Sequence, residues 1–112
     1  MQSSSDEKTL VLKGSYAIDR ASDLARDMSN ALGLAKTVNI DITDVEELDL
    51  PALQVLYAAA ASARARGGAL HCTGTASAAL CGRLLASGFS IAGPLPGAEF
   101  EAHLPGFGRV TA

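Results

Sequence analysis

VNIDITDVEELDLPALQVLYAAAASARA, residues 38–65, decides how the rest of the chain is read. Val38, Ile40 and Ile42 alternate with polar residues as far as Asp44, the pattern of a strand with one buried face. Glu46 and Glu47 follow, then Asp49, Leu50 and Pro51, and from there a run of helix formers. Asp49 can cap that helix, and Pro51 suits its first turn, where a missing N–H costs little. The stretch predicts a strand over 38–43, an acidic turn, and a helix over 51–66. Such junctions carry the working surface of many α/β proteins, because the first N–H groups of a helix have no partner within it.

The same alternation of β and α extends to both sides. Residues 9–13 (TLVLK) read as a strand ending at Gly14. Leu24, Met28 and Leu32 recur every four residues beside Ala21, Ala25 and Ala31. They predict an amphipathic helix capped near Asp19 and ended by Gly33. The second helix should be buried through Leu53, Leu56, Tyr57 and Ala60, and closed by Gly67 and Gly68. Residues 69–73 (ALHCT) form a third strand, and 77–87 a third helix with Leu80, Leu84 and Leu85 inward and Gly88 as its stop. Residues 89–91 are a short strand candidate, and 98–104 a last helical turn or two held by Phe100 and Leu104. Strands separated by single helices imply right-handed crossovers and a mostly parallel small sheet with helices packed against it. The expected organisation is a disordered N-terminus over 1–7, one α/β domain over 8–105 and a C-terminal tail over 106–112. The alanines at 58–61 give strong helix propensity with thin side chains. They allow close packing on the sheet or on a second subunit.

Composition narrows the function. At 112 residues with 48% apolar content, the chain has enough material for one real core. Its net charge is −3 and its nine Lys and Arg residues are scattered, which argues against nucleic acid and polybasic membrane patches as partners. No window approaches the ~18 continuous apolar residues of a membrane span. The polar, acidic start MQSSSDEKT is no signal peptide, so a cytoplasmic location is expected. Cys72 and Cys81 each lie in an apolar segment and read as buried reduced thiols. Together with His71 and His103 they lack zinc-type spacing.

A search for chemistry returns little. There is no P-loop, dinucleotide fingerprint, nucleophile elbow or metal motif. His71 and Cys72 are neighbours on a strand and point to opposite faces, so they form no dyad there. No cofactor, metal or catalytic residue is expected, and the chain reads as a non-enzyme. Asp41, Asp44, Glu46, Glu47 and Asp49 make the densest charge cluster. It reads as a solvated acidic loop, a recognition patch for a basic partner surface, or a divalent-cation site.

The order strand, Asp, acidic turn, helix resembles the STAS domain family, the fold of bacterial anti-sigma factor antagonists. Asp49-Leu50-Pro51-Ala52-Leu53-Gln54-Val55-Leu56 stands where the family carries D-[ST]-[SA]-G-L before its helix. The likeness is closest to STAS proteins associated with chemotaxis and two-component kinases, with their D-T-A-G-L-Q-L-L run. Ala17-Ile18-Asp19-Arg20-Ala21-Ser22-Asp23-Leu24 is similar to the start of their first helix. Gly67-Gly68 before the third strand and Leu84-Leu85-Ala86-Ser87-Gly88-Phe89 after the third helix also fit. The resemblance covers residues 9–92 and implies a STAS-like domain.

The departure from the family pattern is sharp. Family members that act as phosphoswitches carry a Ser or Thr at the helix start, phosphorylated by a partner kinase. Pro51 aligns with that acceptor, Leu50 with its hydroxyl-bearing neighbour and Ala52 with the motif glycine. No phosphorylation is expected at Pro51, and Thr43 is a poor substitute. The resemblance implies a non-catalytic protein-interaction module in bacterial signalling, partnered by an anti-sigma factor or a histidine-kinase-type regulator. Two alternatives are a STAS subunit of a lipid-transport ABC complex and a small-molecule or nucleotide sensor. The candidate interface residues are Asp19, Asp44, Glu46, Glu47, Asp49, Leu50, Pro51 and Ala52. Leu50 has two readings, an apolar tip that meets a partner or a side chain turned into the core.

Overall fold

The computed structural model describes residues 7–86 and 93–102. Three parallel strands, β1 (Glu7–Tyr16), β2 (Thr37–Leu48) and β3 (Ala69–Thr73), form a sheet in the order β1-β2-β3. The helices α1 (Ile18–Leu34) and α2 (Leu50–Ala65) supply the crossovers and pack on each other. A two-residue strand β4 (Thr75–Ala76) leads into α3 (Ala78–Ala86), which packs against β2. Strand β5 (Leu95–Pro96) pairs antiparallel with β4, and α4 (Gly97–Ala102) then lies on β3. This is the α/β domain with a parallel sheet that the alternating pattern predicts.

The core follows the periodicities. Val38, Ile40 and Ile42 of β2 are fully buried, as are Leu24 and Leu56 from the two crossover helices. Leu80 and Leu84 of α3 and Phe100 of α4 complete it. No polar or charged residue is buried among the described residues, so the interior carries little desolvation penalty.

Several boundaries differ from the sequence reading, each for a physical reason. The expected acidic turn is strand: β2 runs on to Leu48, with Val45 and Leu48 buried and Asp44 and Glu46 exposed. β2 carries one extra residue between Asp41 and Asp44, opposite Val11–Lys13 of β1, and another between Val45 and Glu47, opposite Gly14–Ser15, and these bulges account for the broken alternation. Gly14 has φ +76 at this place, a conformation that favours glycine. β1 accordingly continues past Gly14 to Tyr16, and it begins at Glu7, which was expected to be disordered. Helix α1 has Ala17 rather than Asp19 at its N-cap, with no side-chain cap bond. The corner is held instead by Arg20, which donates to the Ser15 carbonyl at 2.9 Å and stacks 4.2 Å from the Tyr16 ring centroid. Asp49 does occupy the N-cap position of α2, but its side chain makes no cap bond either. Leu85 is exposed rather than inward. α3 is one short helix whose buried stripe is Leu80, Cys81 and Leu84, and at 100° per residue Leu85 falls past the edge of that stripe. Residues 1–6, 87–92 and 103–112, including the expected strand over 89–91 and the Gly88 stop, lie outside the described residues.

The end of α2 shows how closely two elements meet. The Gly67 N–H donates to the Arg64 carbonyl and the Gly68 N–H to the Ala63 carbonyl, with Gly67 at φ +81, a Schellman stop. The chain then runs against the α1–β2 connection, where the Ala69 N–H donates to the Lys36 carbonyl at 3.0 Å. A Cβ added at Gly68 would overlap that same carbonyl. Gly68→Ala is therefore expected to cost about 3 kcal/mol, the upper end for overpacking, because the obstacle is backbone. At ~4–8 °C per kcal/mol the melting temperature should fall by roughly 12 °C or more. Gly33→Ala, where an added Cβ meets nothing within 4 Å, should leave it unchanged or raise it. Circular dichroism melts of the two variants check both signs.

Candidate functional site

The N-terminal end of α2 sits where β1 and β2 finish side by side. The Asp49 N–H donates to the Tyr16 carbonyl at 3.0 Å, and the Leu53 N–H to the Asp49 carbonyl at 2.9 Å. This fixes the direction in which α2 leaves the sheet. Leu50, its first residue, is 61% exposed. The apolar side chain projects from the helix start into solvent, so the core reading of Leu50 is not what the fold adopts. Pro51 is half-buried and initiates the helix as expected.

Beside Leu50 lies a cleft of about 200 Å³, lined by Glu47, Leu48, Asp49, Leu53, Arg83 and Leu84. Its floor is aliphatic and its rim carries both signs of charge. Glu47 and Arg83 approach to 3.8 Å across it. Both are partly exposed, so the pair adds little to stability and mainly sets the charge pattern of the rim.

Helix α3 is brought over β2 by Ser77. Its hydroxyl donates to the Val45 carbonyl at 3.3 Å and accepts from the Leu80 N–H at 3.1 Å. That N-cap bond starts α3 and tethers it to the acidic part of β2. Arg83 and Leu84 reach the cleft only through this tertiary contact. Nothing local in the sequence announces them, although Ser77 before an apolar run is a readable cap.

The sequence-predicted residues divide. Glu47, Asp49 and Leu50 meet at the cleft, with Pro51 next to them on the side facing α1. Ala52 is fully buried and offers nothing to a partner. Asp44 lies opposite Lys13 in the β1–β2 register, and Glu46 is exposed on the same strand. Asp19 is exposed in the first turn of α1 and does not line the cleft.

Asp41 belongs to a separate network at the far end of β3. Its carboxylate accepts from the Thr43 N–H at 3.0 Å and the Thr43 hydroxyl at 2.7 Å, which hold its pKa below the usual carboxylate value. The Thr43 oxygen accepts in turn from the Thr75 N–H at 3.3 Å, tying β4 to β2. Gly74, at φ +79, lies so close that a Cβ there would strike the Thr43 oxygen and the Asp41 carboxylate.

One further polar group escaped the sequence reading. Glu101 of α4 accepts from the Cys72 N–H at 2.7 Å and lies 3.2 Å from His71 Nδ1. It anchors α4 to β3. Both cysteines are free and buried. Burial, and then the Glu101 charge, push the Cys72 thiol far up, so it is held as the unreactive thiol. Among the described residues no three His, Cys, Asp or Glu side chains are grouped to hold a metal. His103 lies outside them.

A family model described as "Mlab, STAS domain" matches residues 1–92. The chain belongs to the STAS domain family. STAS domains are in general interaction modules rather than enzymes, and the aliphatic cleft with its charged rim suits that use. No helix among the described residues is long and apolar enough to cross a membrane. No curated protein matches the chain. Helix α4 and its Glu101 anchor lie beyond the residues that the family model matches.

Proposed function

We propose that this STAS domain is a non-catalytic docking module whose binding centre is the exposed Leu50 beside the Leu48–Leu53–Leu84 cleft. The observation that carries the reading is the exposure of Leu50, a large apolar side chain held at a rigid helix start. Around it, Glu46, Glu47, Asp49 and Arg83 form a polar rim, the layout of a small protein interface with an apolar centre. The partner is a kinase-type regulator, an anti-sigma factor or a histidine-kinase assembly, in a bacterial cytoplasm. A second assembly, a STAS subunit of a lipid-transport ABC complex, is weighed by the same test. Small-molecule sensing at this cleft is less well supported, because its volume of about 200 Å³ falls below the ~300–1,000 Å³ of ordinary ligand pockets.

Co-purification with the tagged chain from its own cells decides among these. Enrichment of a kinase-type regulator supports the signalling reading, and enrichment of a transport ATPase supports the second. A chain that enriches neither contradicts both.

The docking surface works without a phosphate switch. Leu50, Pro51 and Ala52 have no hydroxyl, and a phosphate here would add about −1.5 to −2 charge beside Glu47 and Asp49. Incubation with a serine kinase and ATP is expected to leave residues 49–53 unmodified by intact-mass and peptide mass spectrometry. Stoichiometric phosphate on Thr43 or Ser62 would show a switch at another place and contradict an always-competent binder.

A further inference from the structure

We propose that the outer face of the α1–α2 pair is the interface of a two-fold homodimer in which each helix packs antiparallel to its copy. Three adjoining hollows of about 390, 210 and 320 Å³ follow the groove between α1 and α2 from end to end. They share Ala25, Val55 and Ala58, and then Leu32, so they form one continuous groove. Helix α2 has apolar residues around most of its circumference, and its outward Gln54, Ala58 and Ala61 are uncharged. A helix of that kind is normally covered on all sides.

The occupant follows from the charges at the two ends. Lys36 and Arg66 line the groove where α1 and α2 finish, and both are exposed. Asp19 stands exposed in the first turn of α1, at the other end. The face is thus basic at one end, acidic at the other and neutral between, which complements a reversed copy of itself. One axis serves both helices. Position 58 is midway between 50 and 66 on α2, and the groove sets Val55 and Ala58 beside Ala25, Met28 and Ser29, midway between Asp19 and Lys36. Reversal about that level brings Asp19 towards Lys36 of the copy. Arg26, in the middle of α1, is paired with Asp23 at 3.0 Å and brings little net charge.

Small side chains at the axis let two helix backbones approach to ~8 Å. A helix of 16 residues is ~24 Å long, and two abreast are ~20 Å wide, so the dimer buries roughly 1,000 Å² in total. That is the lower end of specific interfaces, which means a reversible dimer of micromolar to sub-millimolar strength.

Sedimentation velocity on the full chain, over concentrations spanning that range, tests the proposal. The expected result is a monomer–dimer equilibrium. Ala58→Arg, which sets like charges against each other at the axis, should leave only monomer with an unchanged melting curve. Lys36→Glu should weaken the dimer at least tenfold, and Asp19→Lys in the same chain should restore it. This charge exchange decides the matter if Ala58→Arg lowers the melt. A chain that is monomeric throughout, a dimer indifferent to Ala58→Arg, or no rescue by the exchange would overturn the proposal. Ala58 and Lys36 are away from Leu50, so the failure of either surface leaves the other intact.

Discussion

Phe100→Ala is expected to lower the melting temperature by roughly 12 °C or more. Phe100 is fully buried although it belongs to a helix of six residues at the end of the described chain. Emptying such a site costs ~3–5 kcal/mol, part lost transfer energy and part residual cavity. Each kcal/mol moves a domain of this size by ~4–8 °C. Helix α4 cannot easily collapse into the space, because two hydrogen bonds hold it in place. The Gly97 N–H donates to the Gly74 carbonyl at 2.7 Å, and the Glu101 carboxylate accepts from the Cys72 N–H. A shift below about 4 °C would mean that α4 is not part of the cooperative unit. Phe100 lies beyond the residues that the family model matches, which end at 92. A large effect makes α4 an integral part of this domain.

Most of the fold was legible because its parallel strands and crossover helices carry strong periodicities. The β3 span is read to the residue, and α1 and α2 to within a residue or two at each end. The acidic stretch misled for a definable reason. Asp44, Val45, Glu46, Glu47 and Leu48 break strict alternation, and a broken alternation looks like a turn. Only the pairing with β1, in which β2 has an extra residue at two places, shows that it is a bulged ladder. The β4–β5 ladder was not readable: it is two residues long, includes Pro96, and joins segments that are distant in sequence. The site divides in the same way. Leu50, Pro51 and Asp49 could be singled out as candidates because caps and prolines leave local signals, whereas Leu84, Arg83 and Glu101 come to their places through tertiary packing and leave none. Exposure was likewise beyond the sequence, which left Leu50 undecided and turned Leu85 inward.

Leu50→Asp is expected to abolish partner binding while the domain stays folded. Placing a new carboxylate in a desolvated interface centre costs several kcal/mol when nothing pairs with it. At 1.4 kcal/mol per factor of ten, a loss of ~3 kcal/mol weakens binding at least a hundredfold. Folding should scarcely respond, because exposed substitutions are usually within ~0.5 kcal/mol. A carboxylate in the first turn of α2 is even mildly favourable with the helix dipole. Leu50→Ala should give an intermediate loss, since it removes the apolar contact without adding charge. The decisive measurement is the affinity of the purified Leu50→Asp variant for the co-purifying partner, taken beside its melting curve. The account predicts lost binding and a melting temperature within about 4 °C of the parent. Unchanged binding with an unchanged melt would contradict it and remove Leu50 from the interface.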